Sequence, residues 1–329
     1  MNVINEIFKL SVNMEESALT SMEKFPRLGY ACLNSELRDR VPSVFCSRTC
    51  RIATIEKEGT GILKELARRN VADLKEMLVW NAAHNIHFMR MSSGLFPFAS
   101  HPKYGYPLDF CKNELEEVGQ LAKKLNQRLT LHPGQTNNLG SPHESVVAAT
   151  KRDLSYHASI LNLMQLNQDS VMIIHGGGVY GDKNATLLRF AEQFRTLDQD
   201  VRDRLVIEND EICYSAEDLL GLSEEFFLPI VFDWHHHNLN PGTIPETVLL
   251  QRIAAVWKKR GIRQKMHYSE SRPGATSLME KRAHSDFVQS VPFCGSDIDV
   301  TVEAKAKEKA VLKLYEKYNI ATKVPGSDT

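Results

Sequence analysis

Pro229-Ile-Val-Phe-Asp233-Trp-His235-His236-His237 carries the reading that decides the fold. Its apolar, partly β-branched run, entered through Leu228, has the composition of a strand buried on both faces, and Asp233 falls where that run ends. A carboxylate followed within four positions by imidazoles supplies oxygen and nitrogen donors that suit a divalent ion such as zinc or manganese, so the strand end reads as a metal corner. Adjacent histidines at a terminus would suggest a purification tag, whereas these follow a buried strand. Taken alone, the stretch also fits a loop with one histidine satisfied in the core. The recurrence of the same arrangement along the chain favours the metal.

Working outward, short apolar runs alternate with long amphipathic segments, the pattern of a parallel sheet wrapped by helices. Eight units are legible. Strands are expected over 28–33, 86–91, 128–131, 170–174, 204–207, 229–233, 263–266 and 297–302, with helices near 61–84, 112–126, 144–166, 184–198 and 305–318. The strand ends then read Asn34, Ser92, His132, His175, Glu208, Asp233, His267 and Glu303. In a (β/α)8 TIM barrel these positions converge on the C-terminal mouth, where active sites of that architecture sit. Turn residues placed by chance would include lysine, threonine and glutamine; an almost uniform set of carboxylates and imidazoles points to a polymetal site. Residues 25–322 are assigned to the barrel, 1–24 to an N-terminal extension and 323–329 to a C-terminal tail.

Composition sets outer bounds. A chain of 329 residues, 42% of them hydrophobic, can build a large core. Its formal net charge of -1 offers no global attraction to nucleic acid, so any such binding must come from a local basic patch or from metal ions. No apolar run reaches about 18 residues, and the start lacks a secretory apolar region, so an intracellular protein is expected. Cys32, Cys46, Cys50, Cys111, Cys213 and Cys294 lack the paired spacing of a zinc knuckle and read as reduced thiols.

Three further stretches bear on chemistry. Leu95 to Pro107 is a long loop rich in proline and aromatics, of the kind that is usually functional inside a compact domain. Arg38, Arg40, Arg48 and Arg51 form the clearest local excess of positive charge and read as phosphate contacts. Gly176 to Gly178 offers backbone N–H groups to a phosphate or simply makes a tight turn; Lys305 and Lys307 face DNA or solvate the last helix. The candidate ligands His101, His132, His175, Glu208, Asp233, His236, His267, His284 and Glu303 outnumber what one ion can use and suffice for two or three ions sharing bridging carboxylates. Without cysteine the set suits Mn2+ or Zn2+, with Mg2+ as a further option. Clustered divalent ions suit phosphodiester hydrolysis, or proton or hydride shifts in a sugar.

Several motifs resemble the UV damage endonuclease family: Leu28-Gly-Tyr30 with Asn34, Pro97-Phe-Ala-Ser-His101-Pro102, His132-Pro-Gly-Gln135, Gly177-Gly-Val-Tyr180-Gly, Leu205-Val-Ile-Glu208-Asn-Asp-Glu211, Asp233-Trp-His-His236-His237, Lys265-Met-His267, Arg272-Pro-Gly and Glu303-Ala-Lys305. That family is similar in fold and metal chemistry to endonuclease IV. The resemblance implies a TIM barrel with three divalent ions, usually manganese, that cuts damaged double-stranded DNA immediately 5′ of pyrimidine dimers and 6-4 photoproducts after flipping the lesion. It makes the nine residues above metal ligands or close supports, with Glu208 bridging and His284 standing for the family's last histidine. It also casts Glu208, Lys265 and His101 as catalytic, Lys265 matching a lysine that is carboxylated in the family. Gln135 and Thr136 would probe the gap, near Tyr30 and Asn34. The family often carries an aromatic where Thr136 stands, and Tyr104 or Tyr106 is the expected substitute. An abasic-site endonuclease and a sugar isomerase or epimerase on the same barrel are the alternatives. A monomer is expected.

Overall fold

The computed structural model describes residues 25–292 and 294–322; the expected extension over 1–24 and tail over 323–329 lie outside the described residues. Eight parallel strands form the framework: β1 (Arg27–Ala31), β2 (Phe88–Arg90), β3 (Arg128–Thr130), β4 (Met172–His175), β5 (Leu205–Glu208), β6 (Ile230–Asp233), β7 (Lys265–Tyr268) and β8 (Asp299–Val302). They pair in the order β3-β2-β1-β8-β7-β6-β5-β4. A parallel bridge between Leu131 and Met172 completes the ring, with Leu131 N–H donating to Val171 O and Ile173 N–H to Leu131 O, both at 3.0 Å. The architecture is a (β/α)8 TIM barrel.

Strand alternation sends one set of side chains outward, where Leu28, Met89, Leu129, Ile174, Ile207, Phe232, Met266 and Val300 are buried in one apolar core. The other set fills the barrel, where Ile173, Val206 and Val231 share the interior with an unusual number of polar side chains. At the bottom, Asp299 pairs with Arg27 at 2.7 Å, Arg128 at 2.8 Å and Arg263 at 2.7 Å. In the middle, Lys265 touches Thr301 and sits 4.6 Å from the centre of the Phe88 ring. At the top lie Arg90, Glu208, His267 and Glu303. Gly29 permits this packing: a Cβ there would fall 2.2 Å from Phe88 O.

The expected long helices are present over Gly61–Ala83, Lys112–Lys124, Glu144–Leu163, Lys183–Arg195 and Glu308–Lys317. Two expectations need adjustment. The segment after β6 is a short helix, Trp234–Leu239, rather than a loop, because Asp233 caps it by accepting from His236 N–H at 2.8 Å. The arginine-rich stretch folds around two short helices, Ser35–Arg38 and Ile52–Glu58. All six cysteines are free, and among the described residues no helix is long and apolar enough to cross a membrane.

Candidate metal centre

The strand termini bring three donor groups together at the C-terminal mouth: His132, His175 and Glu208; Glu208, Asp233 and His236; and Asp233, His267 and Glu303. Within each, the ligand atoms lie inside 4.8 Å of one another. Glu208 belongs to the first two groups and Asp233 to the last two, so the three form a chain linked by carboxylates.

Glu208 is the hub. Its Oε2 lies 3.0 Å from His132 Nε2 and 3.9 Å from His175 Nε2, and its Oε1 lies 2.9 Å from His267 Nδ1 and 3.6 Å from His236 Nδ1. Burial opposes ionisation of this carboxyl, but His267 and His175, with hydrogen bonds from His132 and His267, hold it well below the usual carboxylate range. Burial likewise acts against Glu303, and Arg90 and His267 overcome it. Asp233 is pushed up to about 7 by burial and by the charges of Glu208 and Glu303, with His236 opposing. His236 rises to about 9: burial lowers it, and Asp233, Glu208, Glu211 and Glu303 outweigh that. The site therefore crowds two buried carboxylates, Glu208 and Asp233, and the partly buried Glu303, which multivalent cations would neutralise.

The donor atoms fit such cations. Asp233 Oδ2 is buried without a hydrogen-bond partner, as is His175 Nδ1. His132 Nδ1 lies 3.1 Å from Pro133 O, His236 Nδ1 3.0 Å from Asn209 O and His284 Nδ1 2.7 Å from Glu303 O. A carbonyl at Nδ1 orients each ring, as is common for metal-binding histidines; it turns His132 Nε2 toward Glu208 at 3.0 Å and His236 Nε2 toward Glu211 at 3.7 Å. Asn209 adds rigidity, exchanging two hydrogen bonds with the Asp233 backbone at 2.9 and 3.0 Å.

His101 is arranged oppositely and stands outside the three groups. Its Nδ1 accepts from the backbone N–H groups of Lys103 at 3.1 Å and Tyr104 at 3.2 Å. That places the proton on Nε2, making the exposed side of the ring a donor. His284 also lies outside the three groups, with its Nδ1 4.0 Å from Glu303 Oε2 and its ring 5.1 Å from that of His235. Lys265 is fully buried, its Nζ 2.9 Å from His267 Nε2.

The residues expected to touch DNA divide sharply. Gln135 and Thr136 are exposed at the tip of the loop after β3. Tyr30 and Asn34 are fully buried: Tyr30 Oη donates to Asn81 Oδ1 at 2.7 Å, and Asn34 caps the helix at Ser35 by accepting from Leu37 N–H. Tyr104 is buried with its hydroxyl on Glu56, and Tyr106 Oη donates to Pro97 O at 2.8 Å, so both rings are committed to the loop's own packing. Arg38, Arg40 and Arg51 are exposed, with Arg40 paired to Glu36 at 2.9 Å. Arg48 is turned inward, paired with Asp73 and 4.2 Å from the centre of the Phe45 ring.

Sequence reading missed Arg90, which pairs with Glu303 inside the mouth. The available signal was a charged residue two places from Phe88 on the same face of a buried strand.

Residues 26–327 match the family model described as UV-endonuclease UvdE. The chain is 51% identical over 304 residues to the UV-damage endonuclease of Schizosaccharomyces pombe, which covers 89% of this chain and 51% of that protein. It is 39% identical over 315 residues to the putative UV-damage endonuclease of Acanthamoeba polyphaga mimivirus, covering 91% and 94%. The chain thus spans about half the length of the fungal relative and nearly all of the viral one. The crystal structure of SacUVDE superposes with a TM-score of 0.80 at 30% identity, covering 91% of this chain and all of that one. With barrel, carboxylate hub and relatives in agreement over nearly the whole described chain, the protein belongs to the UV-endonuclease UvdE family.

Proposed function

We propose that this protein is a metal-dependent DNA endonuclease that cuts duplex DNA immediately 5′ of UV photoproducts after the lesion is flipped from the stack. The observation that carries this reading is the chain of three donor groups linked through Glu208 and Asp233. His132, His175, Glu208, Asp233, His236, His267 and Glu303 would hold the ions, three of them, with manganese the expected metal and His284 the nearest additional ligand. Divalent ions in such a site supply Lewis acidity, lower the pKa of water and neutralise a leaving oxygen.

The chain's own groups do the rest. Arg90 holds Glu303 ionised and in place through their ion pair. His101 presents an Nε2 donor toward the groove it shares with Gly134 and Thr136, where a phosphate oxygen of bound DNA would accept. Arg38, Arg40 and Arg51 are the exposed cations placed to hold the phosphate backbone. Lys265 is a buried amine whose pKa is drawn well below the ordinary lysine value by burial and by Arg90 and Arg128, with Glu303 and Glu208 opposing. A neutral amine is the form that adds carbon dioxide with loss of a proton, so carboxylation of Lys265 is compatible with its surroundings and would show as one added carbon dioxide in the intact mass. The protein acts as a monomer in this reading.

The test is incision of a duplex carrying one defined pyrimidine dimer, with Mn2+ and with chelator, against the undamaged duplex. A single Mn2+-dependent cut directly 5′ of the dimer is expected; cutting at an abasic site alone would overturn the substrate assignment.

A further inference from the structure

We propose that Tyr180, with His143 beside it, is a stacking platform for a nucleobase of the bound duplex. The proposal rests on the reading of the protein as a lesion-directed endonuclease and names an aromatic contact at the mouth, where Thr136 supplies none and Tyr104 and Tyr106 are engaged elsewhere.

Tyr180 lies five residues beyond His175, in the loop that follows β4, and 44% of it is exposed. Its backbone is left-handed, with φ of 51°, a conformation that non-glycine residues seldom hold without a surrounding reason. The surroundings supply one. Asn138, itself 8% exposed, donates from Nδ2 to Tyr180 Oη at 3.0 Å. Asn138 is held in turn by its own backbone N–H, which donates to Thr150 Oγ1 at 2.9 Å. Gly177, with φ of 87°, makes room for that amide: a Cβ there would meet the Asn138 side chain at 2.4 Å. Gly178 lies beside the Tyr180 ring: an added Cβ there would stand 3.4 Å from Cε2.

The ring is thus fixed at its hydroxyl and flanked by Gly178, while much of its surface remains open. The His143 ring stands 6.3 Å away at 77°, edge to face, and His143 is exposed. Asn138 is two residues from Thr136, so the loops after β3 and β4 present the exposed Gln135-Thr136 tip and the aromatic pair together. Charge does not compete here. Lys183 pairs with Asp218 at 2.8 Å, and Arg189 donates to Gly140 O and Thr186 Oγ1. A fixed, open aromatic surface whose neighbouring Lys183 and Arg189 are both engaged suits the π-face of a base better than a phosphate.

The test uses the Mn2+-loaded full chain and duplexes with one pyrimidine dimer and 2-aminopurine placed in turn beside and opposite it, read by rapid mixing before incision. With saturating wild-type protein, the probe is expected to be quenched at one of these positions. Tyr180→Phe should match wild type, whereas Tyr180→Ala and the bulk-preserving Tyr180→Leu should leave the probe several-fold brighter and raise the half-saturating protein concentration on the order of tenfold. Thermal melting of each variant checks folding, and Tyr180→Leu decides if Tyr180→Ala fails to fold. Equal quenching and half-saturation in Tyr180→Leu and wild type would overturn the platform while leaving the endonuclease reading intact. A defective Tyr180→Phe would also overturn it, assigning the residue to the Asn138 clamp instead. Wild-type protein that neither binds nor cuts the damaged duplex would remove the endonuclease reading, and the platform with it.

Discussion

Lys265 Nζ lies 2.9 Å from His267 Nε2, with both side chains fully buried inside the barrel. His267 Nδ1 faces Glu208 at 2.9 Å and Glu303 at 3.3 Å, so the amine occupies the second nitrogen of an imidazole whose first nitrogen meets two carboxylates. Burial holds His267 down to about 4, with Lys265 adding to the effect and Glu208 opposing it. The ring is therefore neutral, with Nδ1 directed at Glu208 and Nε2 at the Lys265 amine.

Lys265→Met keeps volume while removing this contact. A volume-conserving change in a packed interior costs under about 1.5 kcal/mol, whereas losing a partner of a metal-binding histidine lowers activity about 10–100-fold. Urea unfolding and incision measured on one preparation check both halves. A large stability loss with unaltered incision would remove Lys265 from the site.

Glu208→Gln removes the charge shared by two donor groups. Incision is expected to fall by at least about a hundredfold, more than for a residue outside the ligand shell, and bound metal should fall with it. Duplex binding by the exposed arginines should largely survive. Retained metal and retained cutting would exclude the bridging role.

Arg90→Met leaves Glu303 as a largely buried carboxylate, 14% exposed, without its ion pair. Breaking a buried pair from one side costs about 3–5 kcal/mol. Because the variant adds one net negative charge at the mouth, Mn2+ should recover more of the lost melting temperature than it adds to wild type. An equal Mn2+ increment in both proteins would show that Arg90 acts on packing alone.

Tyr30→Phe separates support from recognition. The hydroxyl is buried and donates to Asn81, so its loss leaves that acceptor unsatisfied at about 1–3 kcal/mol. The expected result is lower stability, with incision at saturating DNA changed little below the melting range. A drop in incision without a drop in stability would indicate direct contact with the lesion.

His157 contributes to the acid limb of stability. Its ring is buried, with Nδ1 2.7 Å from Asp153 O, and burial lowers its pKa against the pull of Asp153. Below about pH 6.5 the unfolded chain takes up this proton first, so stability falls as pH drops from there toward the folded pKa, at about 1.4 kcal/mol per unit. His157→Gln should flatten the profile by that slope. Urea midpoints for both proteins at intervals from pH 7.5 down to 5 test it, and parallel profiles would refute the assignment.

Sequence by itself determined the barrel and the chemical type of its mouth. Strand runs and the residue types at their ends are local properties, and eight parallel strands leave their C-terminal ends at one face. Hence His132, His175, Glu208, Asp233, His267 and Glu303 were legible in order along the chain. Tertiary structure decided which atoms meet and which side chains stay inside. Tyr30 turned inward because Asn81, 51 residues away, accepts its proton; Arg48 folded onto Asp73 and the Phe45 ring. Arg90 reached Glu303 across 213 positions. His101 took its orientation from two backbone N–H groups that donate to its Nδ1. Residue type fixes what a side chain can do, but direction and protonation depend on partners that only the closed barrel brings within hydrogen-bond distance.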